Sequence, residues 1–65
     1  MLDTEKLKRL RERAGLTLEA VAQKAGFGNR QQWYLIESGA RANIKLDTLD
    51  KIAAAVGVKA KDLLK

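Results

Sequence analysis

The run Arg30-Gln31-Gln32-Trp33-Tyr34-Leu35 carries side chains able to recognise flat, polar ligands. A guanidinium is a rigid fork of donors that matches the O6/N7 edge of guanine. A carboxamide pairs one donor with one acceptor, which matches the N6/N7 edge of adenine. Leu35 could touch a thymine methyl group, and Tyr34 could reach a phosphate or a base edge. Most polar helix faces are merely solvated, so these residue types mean little until their position is known.

Other chemistries are poorly served. The 65 residues include no cysteine and no histidine. That removes disulfides, thiolate or imidazole metal ligands, and Cys- or His-based catalysis. No metal, no cofactor and no enzymatic activity are expected. Asp47 and Asp50 stand three apart on what reads as a solvated helix face. The formal net charge is +5 and the pI about 9.9. This balance suits a polyanionic partner, although basic small proteins without one are common. The longest apolar run, Ile52 to Val56, is too short to span a bilayer. Charges from Asp3 onward leave no signal-peptide core. A cytoplasmic protein with no membrane contact is expected. A chain this short makes a single domain, 1–65, whose core is too small for a pocket of several hundred Å³. No small-molecule ligand is therefore expected.

The elements that must position the polar run are all helical, and nothing reads as a strand. Helix one spans about Thr4 to Ala14, with Thr4 as its N-cap; Leu7, Leu10 and Ala14 share one face and Gly15 ends it. Arg11 falls on that apolar face, where a charge needs a partner. Helix two follows Thr17 as N-cap and places Leu18, Val21, Ala22 and Ala25 together. Gly26 supplies a residue without Cβ where the chain must turn left-handed. Asn29 then caps a third helix that stops before Gly39. Residues 39–45 form a loop. Helix four runs from about Leu46 to Val56, with Leu46, Leu49, Ile52, Ala53 and Val56 on one stripe, and Gly57 closes it. A short fifth helix, about Lys59 to Leu64, folds Leu63 back. The expected core is Leu7, Leu10, Leu16, Val21, Ala22, Ala25, Phe27, Trp33, Ile36, Leu49, Ile52, Val56, Val58 and Leu63. Two short helices hinged at Gly26 to Asn29 make a helix-turn-helix over about 17–39. With Trp33 and Ile36 turned inward, Gln31, Tyr34, Leu35 and Ser38 face out, and Arg30 projects from the first turn.

These residues resemble those of the phage repressor and Cro-like (XRE-type) DNA-binding domains. The resemblance is carried by Arg11, Gly15-Leu16-Thr17, Val21-Ala22, Ala25-Gly26, Ile36-Glu37-Ser38-Gly39, and Leu49…Ile52-Ala53…Val56-Gly57-Val58…Leu63-Leu64. It implies an all-α, lambda-repressor-like fold of five short helices. It implies base contacts from the first turn of helix three and one turn on, here Arg30, Gln31, Tyr34 and Leu35. Phosphate contacts are expected from Thr17 at the start of helix two and from Asn29 and Gln32 beside the probe helix. Arg41, Asn43 and Lys45 of the following loop are expected to add more. The resemblance also implies a structural ion pair between Arg11 and Glu37. Such a pair is worth much if deeply buried and little if exposed, and the sequence leaves both open.

The chain departs from the family in three places. It carries one extra residue between Gly26 and Ile36, most simply at Phe27-Gly28-Asn29. Without that insertion Gln32 and Leu35 would point inward and the only tryptophan outward. Leu18 stands where a glutamine is usual, which suits packing. Lys45 replaces a small hydroxyl cap on helix four.

The function expected is a sequence-specific regulator of double-stranded DNA, prokaryotic or phage-encoded, acting as a homodimer on a palindromic operator. Ala55, Val58 and Leu64 are candidates for the dimer surface. The alternative is an antitoxin or controller-type protein that binds a protein partner alongside DNA. The starting methionine and the stop after helix five suggest a complete chain.

Overall fold

Four helical segments with one apolar face each, separated by glycine-marked stops, can only bury those faces against one another. The computed structural model describes residues 2–41 and 43–64. It contains α1 (Thr4–Arg13), α2 (Leu18–Lys24), α3 (Arg30–Glu37) and α4 (Leu46–Val56), then a single 3₁₀ turn at Ala60–Leu63. Among the described residues there are four α-helices, not five. The last segment tightens because Leu64 leaves it in an extended conformation and pairs with Leu2 as an isolated antiparallel bridge. The Asp3 amide donates to the Leu63 carbonyl at 2.6 Å, tying the two ends of the chain together. The Asp62 carboxylate accepts from the Lys59 amide at 3.2 Å and holds the turn's start.

Caps decide where the helices begin. Asp3, not Thr4, caps α1: its carboxylate accepts from the Lys6 amide at 3.1 Å. An anion there also faces the positive end of the helix dipole, which a threonine hydroxyl cannot exploit. Thr17 caps α2 by accepting from the Ala20 amide at 3.0 Å. Asn29 caps α3 by accepting from the Gln32 amide at 3.2 Å. Lys45 gives α4 no side-chain cap. Asp47 compensates from within, its carboxylate accepting the Thr48 amide at 2.9 Å.

Glycine followed by an apolar residue ends three of the helices. At the end of α2, Gly26 has φ 81°. The Gly26 amide donates to the Gln23 carbonyl at 3.0 Å and the Phe27 amide to the Ala22 carbonyl at 2.9 Å. This crossed pair satisfies two of the helix's free carbonyls and folds Phe27 back onto the core. Gly15-Leu16 and Gly57-Val58 repeat the arrangement after α1 and α4.

The buried core comprises Leu7, Val21, Ala22, Ala25, Trp33, Ile36, Leu49, Ile52, Ala53, Ala55, Val56 and Leu63. Trp33 is its largest fully buried side chain, with the Phe27 ring 6.2 Å away at an interplanar angle of 49°. Ala22 and Ala25 are the small residues that let α2 and α3 pack closely. Leu10, Leu16, Phe27 and Val58 are only partly buried, packed around the edge of this cluster, as is Leu18. Two expectations fail. Leu46 projects from the first turn of α4 and is 71% exposed, so it is no part of the apolar stripe. Ala55 is buried, since it stands three residues after Ile52 on the inward face, and it is unavailable to a partner subunit.

Candidate nucleic-acid interface

The posture of α3 follows from its two faces. Trp33 and Ile36, three apart, are fully buried. Arg30, Gln31, Gln32, Tyr34, Leu35 and Ser38 are exposed. The insertion register therefore has its apolar pair inside and its amides outside. Gly28 sits between the end of α2 and the Asn29 cap with no positive φ, so the turn passes through it without a left-handed step. Tyr34 is 51% and Leu35 37% exposed. Both stand beside Arg30 and Gln31 on a face that folding does not use.

Glu37 at the end of α3 fixes the helix to α1. Arg11 Nε donates to Glu37 Oε1 at 2.8 Å, and Arg11 Nη2 to Oε2 at 3.4 Å. Arg11 Nη1 donates to the Leu16 carbonyl at 2.9 Å, closing the turn between α1 and α2. The Trp33 indole N–H donates to Glu37 Oε1 at 3.4 Å. The side chains of Arg11 and Glu37 are 13% and 7% exposed. The pair thus lies at the covered end of the range. Its hydrogen bonds to Leu16 and Trp33 offset the loss of hydration that burial imposes on both ions. The indole contact is an i,i+4 pair and so had a spacing signal in the sequence; the Leu16 contact had none.

Hydrogen bonds within the chain sort the remaining polar groups. Thr17 Oγ and Asn29 Oδ1 accept from backbone amides, as described above. Gln32 Oε1 accepts from Arg41 Nη1 at 3.3 Å. In each case an acceptor is occupied within the chain, leaving the hydroxyl proton, two amide NH₂ groups and the rest of the guanidinium as donors. Outward donors of this kind suit phosphate oxygens.

Surface concavities join these residues. A groove of 420 Å³ is lined by Asn29, Gln31, Gln32, Leu35, Ala40 and Arg41. A second, of 300 Å³, runs past Asn29 and Arg30 to Glu19 and Gln23 of α2. A third, of 230 Å³, brings Arg41, Asn43 and Lys45 together beside Ile44 and Thr48. Asn29 borders the first two and Arg41 the first and third, so the surface is continuous from Arg30 to Lys45. Thr17 and Tyr34 line none of the three. These concavities are open and lie on the surface, not in the core. Glu19 and Gln23 are additions that the sequence did not single out. Their i,i+4 spacing on the exposed side of α2 was the available signal.

Two short helices at a glycine-marked turn, the second exposing a polar face beside shallow surface grooves, form a helix-turn-helix. A family model described as "Helix-turn-helix domain" matches residues 4–64. The chain belongs to this family. No curated protein matches it. In a helix-turn-helix domain the second helix of the motif, here α3, is the one presented to nucleic acid, and DNA binding is the role the family implies. No helix among the described residues is long and apolar enough to cross a membrane.

Proposed function

We propose that this helix-turn-helix domain is a sequence-specific regulator that inserts α3 into the major groove of duplex DNA. The observation that carries the reading is the exposed face of α3. It offers a guanidinium and a carboxamide in its first turn, with Tyr34 and Leu35 one turn on. Arg30 and Gln31 make bidentate contacts to base edges, Leu35 meets a thymine methyl, and Tyr34 reaches a base edge or phosphate. Thr17, Asn29, Gln32, Arg41, Asn43 and Lys45 grip the backbone on either side and fix the register. The likeness to Cro-like repressors belongs to the same reading.

The protein acts as a homodimer on a two-fold symmetric operator. One such domain has a small footprint, and paired reading helices about 34 Å apart double it. With Ala55 buried, the candidate dimer surface reduces to half-buried Val58 and exposed Leu64. Arg41 and Lys45 supply two phosphate-neutralising charges per subunit. Four charges in a dimer give a log–log salt slope of about −3.6.

Selection of random duplex DNA by the purified protein, with binding titrated against salt, tests the reading. A recovered palindrome with that slope is the expected result. Weak binding without any motif would sink base reading and favour a role built on a protein partner.

A further inference from the structure

The outer flank of α1 carries a basic feature that α3 and its neighbouring loop do not use. Lys6, Arg9 and Arg13 line a shallow groove of 240 Å³ with Leu10 between them. Spacings of three and four align the three cations along one stripe of the helix. Arg9 and Arg13 are exposed and Lys6 half-buried. Among the described residues the ion pair present is Arg11–Glu37, so none of the three has a carboxylate partner there. Glu5 and Glu12 fall with Lys8 on the adjoining flank.

Helix stability accounts for part of this arrangement, since Arg13 lies in the last turn at the negative end of the dipole and Glu5 stands four residues before Arg9, but not for the row as a whole. Like charges three and four residues apart repel one another. Lys6 stands in the first turn of α1, at the positive end of the helix dipole. The stripe also faces away from α3. Arg11 marks the side of α1 turned to α3 through Glu37, and Lys6, Arg9 and Arg13 lie roughly 140–160° around the axis from it. A duplex seated on the outer face of α3 leaves this flank uncovered.

We infer that the α1 stripe is a second site for the phosphate backbone of duplex DNA, so that one molecule holds two duplex segments. This rests on the reading of α3 as the primary contact. From Lys6 to Arg13 the helix rises about 10 Å. Successive phosphates of one strand lie farther apart than the axial rise of about 3.4 Å, because the strand winds around the axis, and the long Lys and Arg side chains can splay from the stripe to meet up to three of them. A row of one sign suits a uniformly charged strand better than a protein surface, which usually mixes both signs.

The test is capture of a fluorescent duplex by a bead-bound duplex of different sequence that carries the selected motif. The full chain is compared with the triple variant Lys6→Gln, Arg9→Gln, Arg13→Gln. The wild-type protein should bridge the two duplexes, and the fluorescent duplex captured per protein retained on the beads should fall about forty-fold between about 50 and about 200 mM salt, as three neutralised phosphates require. The variant should bind the single motif-bearing duplex with unchanged affinity and slope and melt no lower than the wild type, yet capture no second duplex. Equal capture by the variant would overturn the inference. So would a shallower salt slope on the single duplex, which would make the stripe part of the primary footprint. Capture of a glutamate-rich peptide in place of the second duplex would also overturn it. Failure to bind any duplex would remove the primary reading too, whereas binding without bridging would remove only this one.

Discussion

Replacing Arg11 by methionine should strip α3 of its main attachment to α1. Methionine keeps an unbranched apolar stem and removes the guanidinium. Glu37, with its side chain 7% exposed, would then retain only the indole N–H of Trp33 at 3.4 Å. Breaking one side of a buried pair costs about 3–5 kcal/mol. The 13% exposure of Arg11 favours the lower end, so a loss of about 3 kcal/mol is expected. A domain of this length has about 3–10 kcal/mol in total, so the change removes a third or more of it. The melting temperature should fall by about 12–24 °C. Glu37→Met should cost a similar amount by stranding the guanidinium. The double variant should lose less than either single variant and far less than their sum, because an apolar pair of similar volume is often neutral. It would still lack about 1 kcal/mol for each unpaired group, the Leu16 carbonyl and the indole. The coupling energy of the cycle is then about 3 kcal/mol or more. Urea unfolding followed by the fluorescence of Trp33, the only tryptophan, measures all four proteins at one pH. Single losses below about 1 kcal/mol that simply add would refute the argument, because they would show a pair screened like a surface contact.

Three further outcomes follow from the local geometry. Asp3→Ala should cost about 1 kcal/mol by removing the α1 cap, whereas Thr4→Ala should change stability by no more than about 0.5 kcal/mol; chemical denaturation separates the two. Gly26→Ala should destabilise by about 1–2 kcal/mol, because a Cβ there meets no neighbour and the penalty is that of the left-handed backbone alone. Gly28→Ala, at a position with neither positive φ nor a close neighbour, should be neutral or stabilising by up to about 1 kcal/mol in the same assay.

Much of the fold was legible because its signals are local. Gly26-Phe27 and Gly57-Val58 announce helix ends through one residue that turns and one that folds back. Thr17 and Asn29 announce starts through side chains that reach amides three residues on. The pairing of Trp33 with Ile36 settles the register of α3, since the other choice buries an amide and exposes an indole. What escaped was non-local or degenerate. Asp3 and Thr4 are adjacent residues of nearly equal capping rank, and the helix dipole separates them only in context. The bridge between Leu2 and Leu64 is a backbone contact between chain ends with no side-chain signature. Leu46 keeps the helical period but stands beyond the edge of the core, which periodicity cannot register. Ala55 has the right spacing from Ile52, but so small a side chain does not distinguish a core position from the dimer surface expected there. At the candidate interface the exposed face of α3 could be read from spacing. The bond from Arg41 to Gln32 spans nine residues and a loop, and only the folded chain reveals it.

The most direct test of base reading by α3 compares the wild-type protein with Gln31→Ala and Arg30→Ala. Each is titrated at fixed salt on the selected site and on every single-base-pair change within it. Each variant should lose about 1–3 kcal/mol on the selected site. Each should also become indifferent to base identity at one position per half-site, with the other positions and the salt slope unchanged. A uniform loss across all sequences, or none, would contradict the account and leave the outer face of α3 as a solvated surface.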